Sequence, residues 1–246
     1  FWWLLAKNFG IKLNSVVFEK IAQSIPVNIL AKHKGQIHQL ESLLFGQAGL
    51  LEADFKEDYP KLLQREYRFL QKKYQLKKIE ASLVFLRMRP SNFPTVRLAQ
   101  LAMLVHQSLH LFSKIKESNK LSEIKALLDV TANDYWHYHY MFDEPSAFKK
   151  KKLGRQMMDN IFINTVVPVL FAFGHFHNDE LLKEKALQWL MQLKAEQNNI
   201  SKGFSTLQVA VNNAFDSQAL IQLKNEYCNN KRCLDCSIGN KLINSV

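Results

Sequence analysis

The sequence predicts a mainly α protein: a single helical domain of about eight to ten helices with short loops, spanning 1–246, with a subdivision allowed near 145–155. Three observations predict it. Turn formers are scarce, with eight glycines and six prolines in 246 residues, which leaves little chain for the many tight turns of an all-β fold. Apolar residues recur at three- and four-residue spacing along most of the chain. The composition, 47% apolar and 22% charged, is that of a chain with a packed core and excludes wholesale disorder.

Taken in order, Asn14 or Ser15 is expected to cap a helix whose Val17, Phe18, Ile21, Ala22 and Ile25 keep the helical spacing, ending near Pro26. A second helix runs from about Gln36 through Ile37, Leu40, Leu43 and Leu44 toward Gly46, where Gly46-Gln47-Ala48-Gly49 gives a small-residue break. After Pro60, the residues Leu63, Tyr67, Leu70 and Tyr74 form a stripe, and the basic residues of that segment lie off it. Pro90 and Pro94 forbid a regular helix between Arg87 and Arg97 and fix an extended turn that caps the next helix. That helix carries Leu98, Leu101, Ala102, Val105, Leu109 and Phe112 on one face. A short helix covers about Ser122 to Asp129. The aromatic cluster Tyr135 to Phe142 alternates like a strand but equally suits a buried helical turn. Lys149 to Lys152 reads as an exposed loop, followed by a buried helix from about Gln156 to Phe173, kinked near Pro168. Leu182, Ala186, Trp189, Leu190 and Leu193 mark the next helix, and Ala219, Leu220, Leu223 and Tyr227 the last.

The longest apolar stretch, Ile161 to Phe173, carries Asn164 and Pro168 and falls short of the ~20 residues of a membrane span. Phe1-Trp2-Trp3-Leu4-Leu5 has neither a basic leader nor a small-residue cleavage site, so the chain is expected to be cytoplasmic, without a membrane partner. It begins without methionine, as a fragment lacking its N-terminal part would.

The formal charge of +11 is uneven. Between Lys61 and Arg97 stand ten basic residues and two acidic ones, Glu66 and Glu80. A concentrated basic segment points to a polyanion such as DNA or RNA, whereas the alternative is a solvated lysine-rich face that serves only solubility. Lys72, Lys73, Lys77 and Lys78 are the densest part of it. Arg87, Arg89 and Arg97 bracket the proline turn at a helix start, where guanidinium forks and free N–H groups suit a phosphate or carboxylate. The competing reading has these arginines bound to helix ends or internal carboxylates.

All three cysteines fall in one run, Cys228, Cys233 and Cys236. The C-x4-C-x2-C order lets thiolates face one zinc ion or an iron–sulfur cluster, with Lys231 and Arg232 favouring the charged form. A fourth ligand is missing, and free or redox-active thiols are the alternative. The pairs His106/His110, His137/His139 and His175/His177 have metal-ligand spacing but no neighbouring carboxylate of a hydrolase pattern, which favours structural roles. There is no phosphate-binding loop, no dinucleotide fingerprint, no nucleophile elbow and no paired-carboxylate nuclease pattern, so the chain shows no active-site motif.

Leu40-Glu-Ser-Leu-Leu-Phe-Gly-Gln-Ala-Gly-Leu-Leu51, Arg87-Met-Arg-Pro-Ser-Asn-Phe-Pro94 with Arg97-Leu-Ala99, and Tyr227-Cys228 through Cys236-Ser-Ile-Gly239 resemble a bacterial family, domain-of-unknown-function family 2851. The resemblance implies the C-terminal helical part of a longer protein, whose absent N-terminal region is similar to the PD-(D/E)XK nuclease fold. It carries no activity, substrate or cofactor. Two function classes stand against each other: a nucleic-acid-associated helical module stapled by a cysteine metal site, and a protein-interaction or structural module. A metalloenzyme using the cysteines is the least supported, because no general base stands near them in sequence.

Overall fold

A computed structural model describes residues 1–108 and 110–244; Leu109, expected on a helix stripe, lies outside the described residues. The described chain is 65% helical with one small hairpin, which makes it mainly α. Its thirteen helices, two of the fourteen segments named below running on as one, exceed the eight to ten expected, because several are only seven or eight residues long and show no extended stripe. Its contacts fall into two compact units, Phe1–Val166 and Val167–Val246.

The first unit contains α1 (Trp2–Phe9), α2 (Ile11–Ser24), α3 (Val27–His33), α4 (Ile37–Gln47), α5 (Asp58–Tyr74), α6 (Pro94–Gln107), α7 (Leu111–Glu117), α8 (Leu121–Leu128), the strands β1 (His139–Met141) and β2 (Glu144–Pro145), and α9 (Arg155–Ile161). At its centre lies α4, whose residues from Leu40 to Gln47 are buried on every side, as expected of a helix surrounded by others. It packs on α2, α3, α5 and α6. Gly46 is what lets α5 approach, since a Cβ there would stand 2.1 Å from the Tyr67 ring. Two residues after α4, Gly49 adopts φ +73°, and the N–H of Leu50 closes the helix end on the carbonyl of Phe45.

Asn14 does not cap a helix. It sits inside α2, nearly fully buried, and its amide brackets Val84 of a distant segment: Nδ2 donates to the Val84 carbonyl at 2.9 Å and Oδ1 accepts the Val84 N–H at 2.8 Å. The proline turn forms as expected, with a 3-10 turn at Pro90–Asn92 and α6 starting on Pro94. The aromatic cluster is both things its pattern allowed, a 3-10 turn at Asp134–His137 and then the β1–β2 hairpin, which pairs His139 with Pro145 and Met141 with Glu144. In the lysine run, Lys151 is buried rather than exposed; its Nζ lies 3.7 Å from the Tyr140 ring centroid and donates to the Lys149 carbonyl. Burial, aided by Lys149, holds its pKa below the usual lysine range.

The second unit contains α10 (Val167–Phe176), α11 (Glu180–Gln192), α12 (Asn199–Thr206), α13 (Ala214–Gln222) and α14 (Ser237–Ile243). Asp179 caps α11 by accepting the Leu182 N–H, and Gly174 leaves room for that corner. Asn198 with Ser201 makes a capping box on α12, and Asn213 accepts the Asp216 N–H on α13. The chain from Arg155 to Phe176 is one continuous helix, widened to a π turn at Phe162–Val166 just before Pro168. Proline has no N–H for the carbonyl of Asn164, four residues back, and that carbonyl instead accepts the Asn8 amide at 3.1 Å. The helix is long and apolar enough to cross a membrane by length and composition, yet 56% of its most apolar window is buried, as in a core helix.

Candidate functional site

Helix α5 carries a concentrated basic face. Leu63, Tyr67 and Leu70 turn toward the core. Lys61, Arg65, Arg68 and Lys72, at spacings of four, three and four, share the opposite, exposed face. Among the described residues none of these four forms a salt bridge. Phe69 stands beside them 58% exposed, with the Lys73 Nζ 5.6 Å from its ring centroid. A large exposed aromatic ring within a row of cations that form no salt bridge is what charge alone does not require.

Both ends of α5 are fastened. Asp143, at the hairpin turn with φ +58°, accepts the N–H groups of Lys56 (2.7 Å) and Glu57 (3.0 Å). Partial burial pushes the Asp143 carboxyl up, but those two N–H donors and the charges of Lys56 and Lys61 outweigh it and hold the carboxyl below its ordinary value. At the other end Gln75 takes the left-handed conformation, and Tyr74 OH meets His33 Nε2 at 2.8 Å.

Beneath α5 runs a polar and aromatic network. The fully buried Glu41 carboxylate of α4 accepts Tyr59 OH at 2.6 Å and Trp136 Nε1 at 3.2 Å, while Asn133 donates to Tyr59 OH at 2.6 Å. Burial raises the Glu41 pKa to about 7, with the two donors opposing. Burial and the Glu41 carboxylate together push the Tyr59 phenol far above its usual range. Tyr59 stacks on Tyr135 at 4.7 Å, and Tyr135 stacks on His139 at 4.0 Å and 4°. Glu57 accepts Tyr135 OH and meets His139 Nε2 at 3.1 Å. Glu41 is sealed from solvent, so the network joins α4, α5 and the hairpin rather than presenting a reactive group to a cleft. The sequence singled out Tyr135, Trp136 and His139 only as parts of an aromatic cluster and a histidine pair, and Glu41, Glu57, Tyr59 and Asn133 not at all; the available signal was Glu41 itself, a carboxylate amid the apolar run of α4.

The predicted anion-binding residues divide. Lys72, Lys73, Lys77, Lys78, Arg87 and Arg89 are exposed. Lys78 pairs with Glu52, and Arg87 occupies a left-handed backbone position, φ +61°. Arg97 is not at the surface. It is buried, donates from Nη1 to Gln100 Oε1 (2.9 Å) and from Nη2 to Asn92 Oδ1 (2.6 Å), and burial lowers its pKa to about 10. It ties the proline turn to α6, with side-chain amides as partners instead of carboxylates.

Cys228 and Cys233 are exposed, Cys236 is half-buried, and all three are free. The Cys236 N–H reaches the Cys233 carbonyl at 3.3 Å, so the C-x2-C step is a tight turn. Among the described residues no group of three or more His, Cys, Asp or Glu side chains is placed to hold a metal ion. Of the histidines, His106 Nδ1 meets the Lys34 carbonyl, His139 joins the network, His137 packs edge-on against Phe148, and His110, His175 and His177 are exposed.

Fold and surface together define a mainly α protein whose candidate site is an outward basic helix clamped onto a buried polar network. The chain belongs to the family described as protein of unknown function DUF2851, whose model matches residues 1–199. The matched span includes the Leu40–Leu51 and Arg87–Ala99 motifs and ends before the cysteine run. No curated protein and no solved structure matches the chain.

Proposed function

We propose that this is a nucleic-acid-associated helical module and that α5 tracks the phosphates of a DNA or RNA strand. The supporting observation is the α5 face, where Lys61, Arg65, Arg68 and Lys72 project beside the exposed Phe69 and, among the described residues, none of the four forms a salt bridge. At ~1.5 Å rise per residue these cations stand about 4.5 to 6 Å apart along the axis, a ladder that several phosphates of one strand can meet. An exposed ring among them offers a stacking surface that a lysine-rich solubility face has no use for. Lys73 adds a further cation in the last turn of the helix. By the motif resemblance, the module would lie beside a nuclease-like region.

The test is anisotropy of labelled single-stranded and duplex oligonucleotides at low salt. Wild type is compared with a charge-reversed Lys61→Glu, Arg65→Glu, Arg68→Glu, Lys72→Glu protein whose circular dichroism is unchanged. Binding that the variant loses at least ten-fold supports the reading. The rival, a protein-interaction module, requires no binding, or binding that the reversal leaves intact.

A further inference from the structure

The chain between α5 and the proline turn contains a strand with no partner. Exposure alternates residue by residue along Ala81, Ser82, Leu83, Val84 and Phe85, the period of an extended strand, between a bend at Glu80 and a turn at Leu86 and Arg87. Among the described residues, the backbone of residues 77–88 makes no hydrogen bond to any other backbone group. Only Val84 is satisfied, by the Asn14 amide on its N–H and its carbonyl.

That single anchor orients the strand. Alternate residues of a strand send their N–H and C=O groups to opposite edges. Val84 addresses the Asn14 edge, so Ala81, Leu83 and Phe85 address the other. Beside the segment lies an open cleft of about 640 Å3, lined by Gly49, Leu50 and Glu52 on one side and by the consecutive residues 78–83 with Phe85 on the other. An unpaired edge beside an open cleft has the form of a strand-addition site, where backbone bonds supply affinity and alternate side chains supply selectivity.

Charge identifies the occupant. Lys77 and Lys78 precede the strand and Arg87 and Arg89 follow it, and their local opposition is Glu80 together with Glu52, which Lys78 already pairs. A second copy docking antiparallel would set the lysines of one chain against the arginines of the other, which like-charge repulsion opposes. A peptide with acidic residues at its ends meets cations at both.

We infer that the edge formed by Ala81, Leu83 and Phe85 accepts an extended acidic peptide of a partner protein as an added strand. The site is separate from the α5 face and does not depend on the nucleic-acid reading.

The probe is a labelled nine-residue peptide of alternating valine and threonine with two acidic residues at each end, titrated into the whole chain. Binding is expected to fall at least ten-fold when lysines replace the acidic ends, and when the peptide's alternate amides are N-methylated. Ala81→Pro, which removes an N–H from the open edge, is expected to abolish it. Lys77→Glu with Arg87→Glu leaves the backbone intact and is expected to weaken it at least ten-fold, which guards against a folding defect in the proline variant. Absence of binding, or binding indifferent to end charge, to N-methylation or to the double reversal, overturns the inference. So does self-association that Ala81→Pro abolishes, since the occupant is then a second copy. An oligonucleotide that competes for the same edge would also overturn it.

Discussion

Replacing Glu41 by glutamine is expected to flatten the dependence of stability on pH. The carboxyl is sealed inside α4 between Tyr59 and Trp136, and burial raises its pKa from 4.5 to about 7. A raised carboxyl binds its proton more tightly in the folded chain than in the unfolded one. Its contribution is therefore complete below about pH 4.5, drains away as pH rises, and is gone above about pH 7. At ~1.4 kcal/mol per pH unit the full contribution is about 3 kcal/mol, most of which, about 2 to 3 kcal/mol, is lost between pH 5 and pH 8. Glutamine keeps the shape and still accepts from Trp136, but it has no proton to release. Urea unfolding at pH 5, 6, 7 and 8, followed by tryptophan fluorescence, should show wild type losing about that much more than Glu41→Gln. Equal losses in the two proteins would show that Glu41 ionises normally and that its burial does not control its charge.

Other perturbations probe the same frame. Gly46→Ala drives a Cβ into the Tyr67 ring and should lower stability by about 1–3 kcal/mol in thermal melts, less in a Tyr67→Ala background. Asn14→Ala frees Val84 from both hydrogen bonds, so tryptic cleavage after Lys77, Lys78 and Arg87 should accelerate at least ten-fold while the far-ultraviolet dichroism stays unchanged. Asp143→Ala removes the acceptor at the start of α5 and should lower the melting temperature at pH 7. Because the Asp143 carboxyl sits below its ordinary value of 3.8, its contribution is present above that pH and is lost as pH falls further; the variant should therefore match wild type in strong acid.

The fold class was legible because long helices write their buried face into local spacing. The stripe Leu63, Tyr67, Leu70 read from the sequence is the buried face of α5, and the prolines at 90 and 94 set the start of α6. What local spacing does not carry is a partner far along the chain. Asn14 looks like a cap because asparagine favours caps, and only the fold shows that its amide serves Val84, seventy residues away. Glu41 and Trp136 are ninety-five residues apart, so nothing at either end announces their bond. Arg97 was grouped with Arg87 and Arg89 by sequence proximity, but the helix start turned its side chain inward to Asn92 and Gln100. Pro168 marked a kink correctly as a disturbance, yet the π turn and the Asn8 amide absorb it and the helix continues. The basic face of α5 was readable because charges off an apolar stripe have only solvent to face.

The most direct measurement of the central claim is the salt dependence of oligonucleotide affinity, taken from 50 to 300 mM for wild type and for a Lys61→Gln, Arg65→Gln, Arg68→Gln, Lys72→Gln protein. Each phosphate contact adds about −0.7 (single strand) to −0.9 (duplex) to the slope of log affinity against log salt. The account expects a steep wild-type slope that becomes shallower by about 3 units when the four cations are neutralised. A wild-type affinity indifferent to salt, or a slope that the four substitutions leave unchanged, would contradict it.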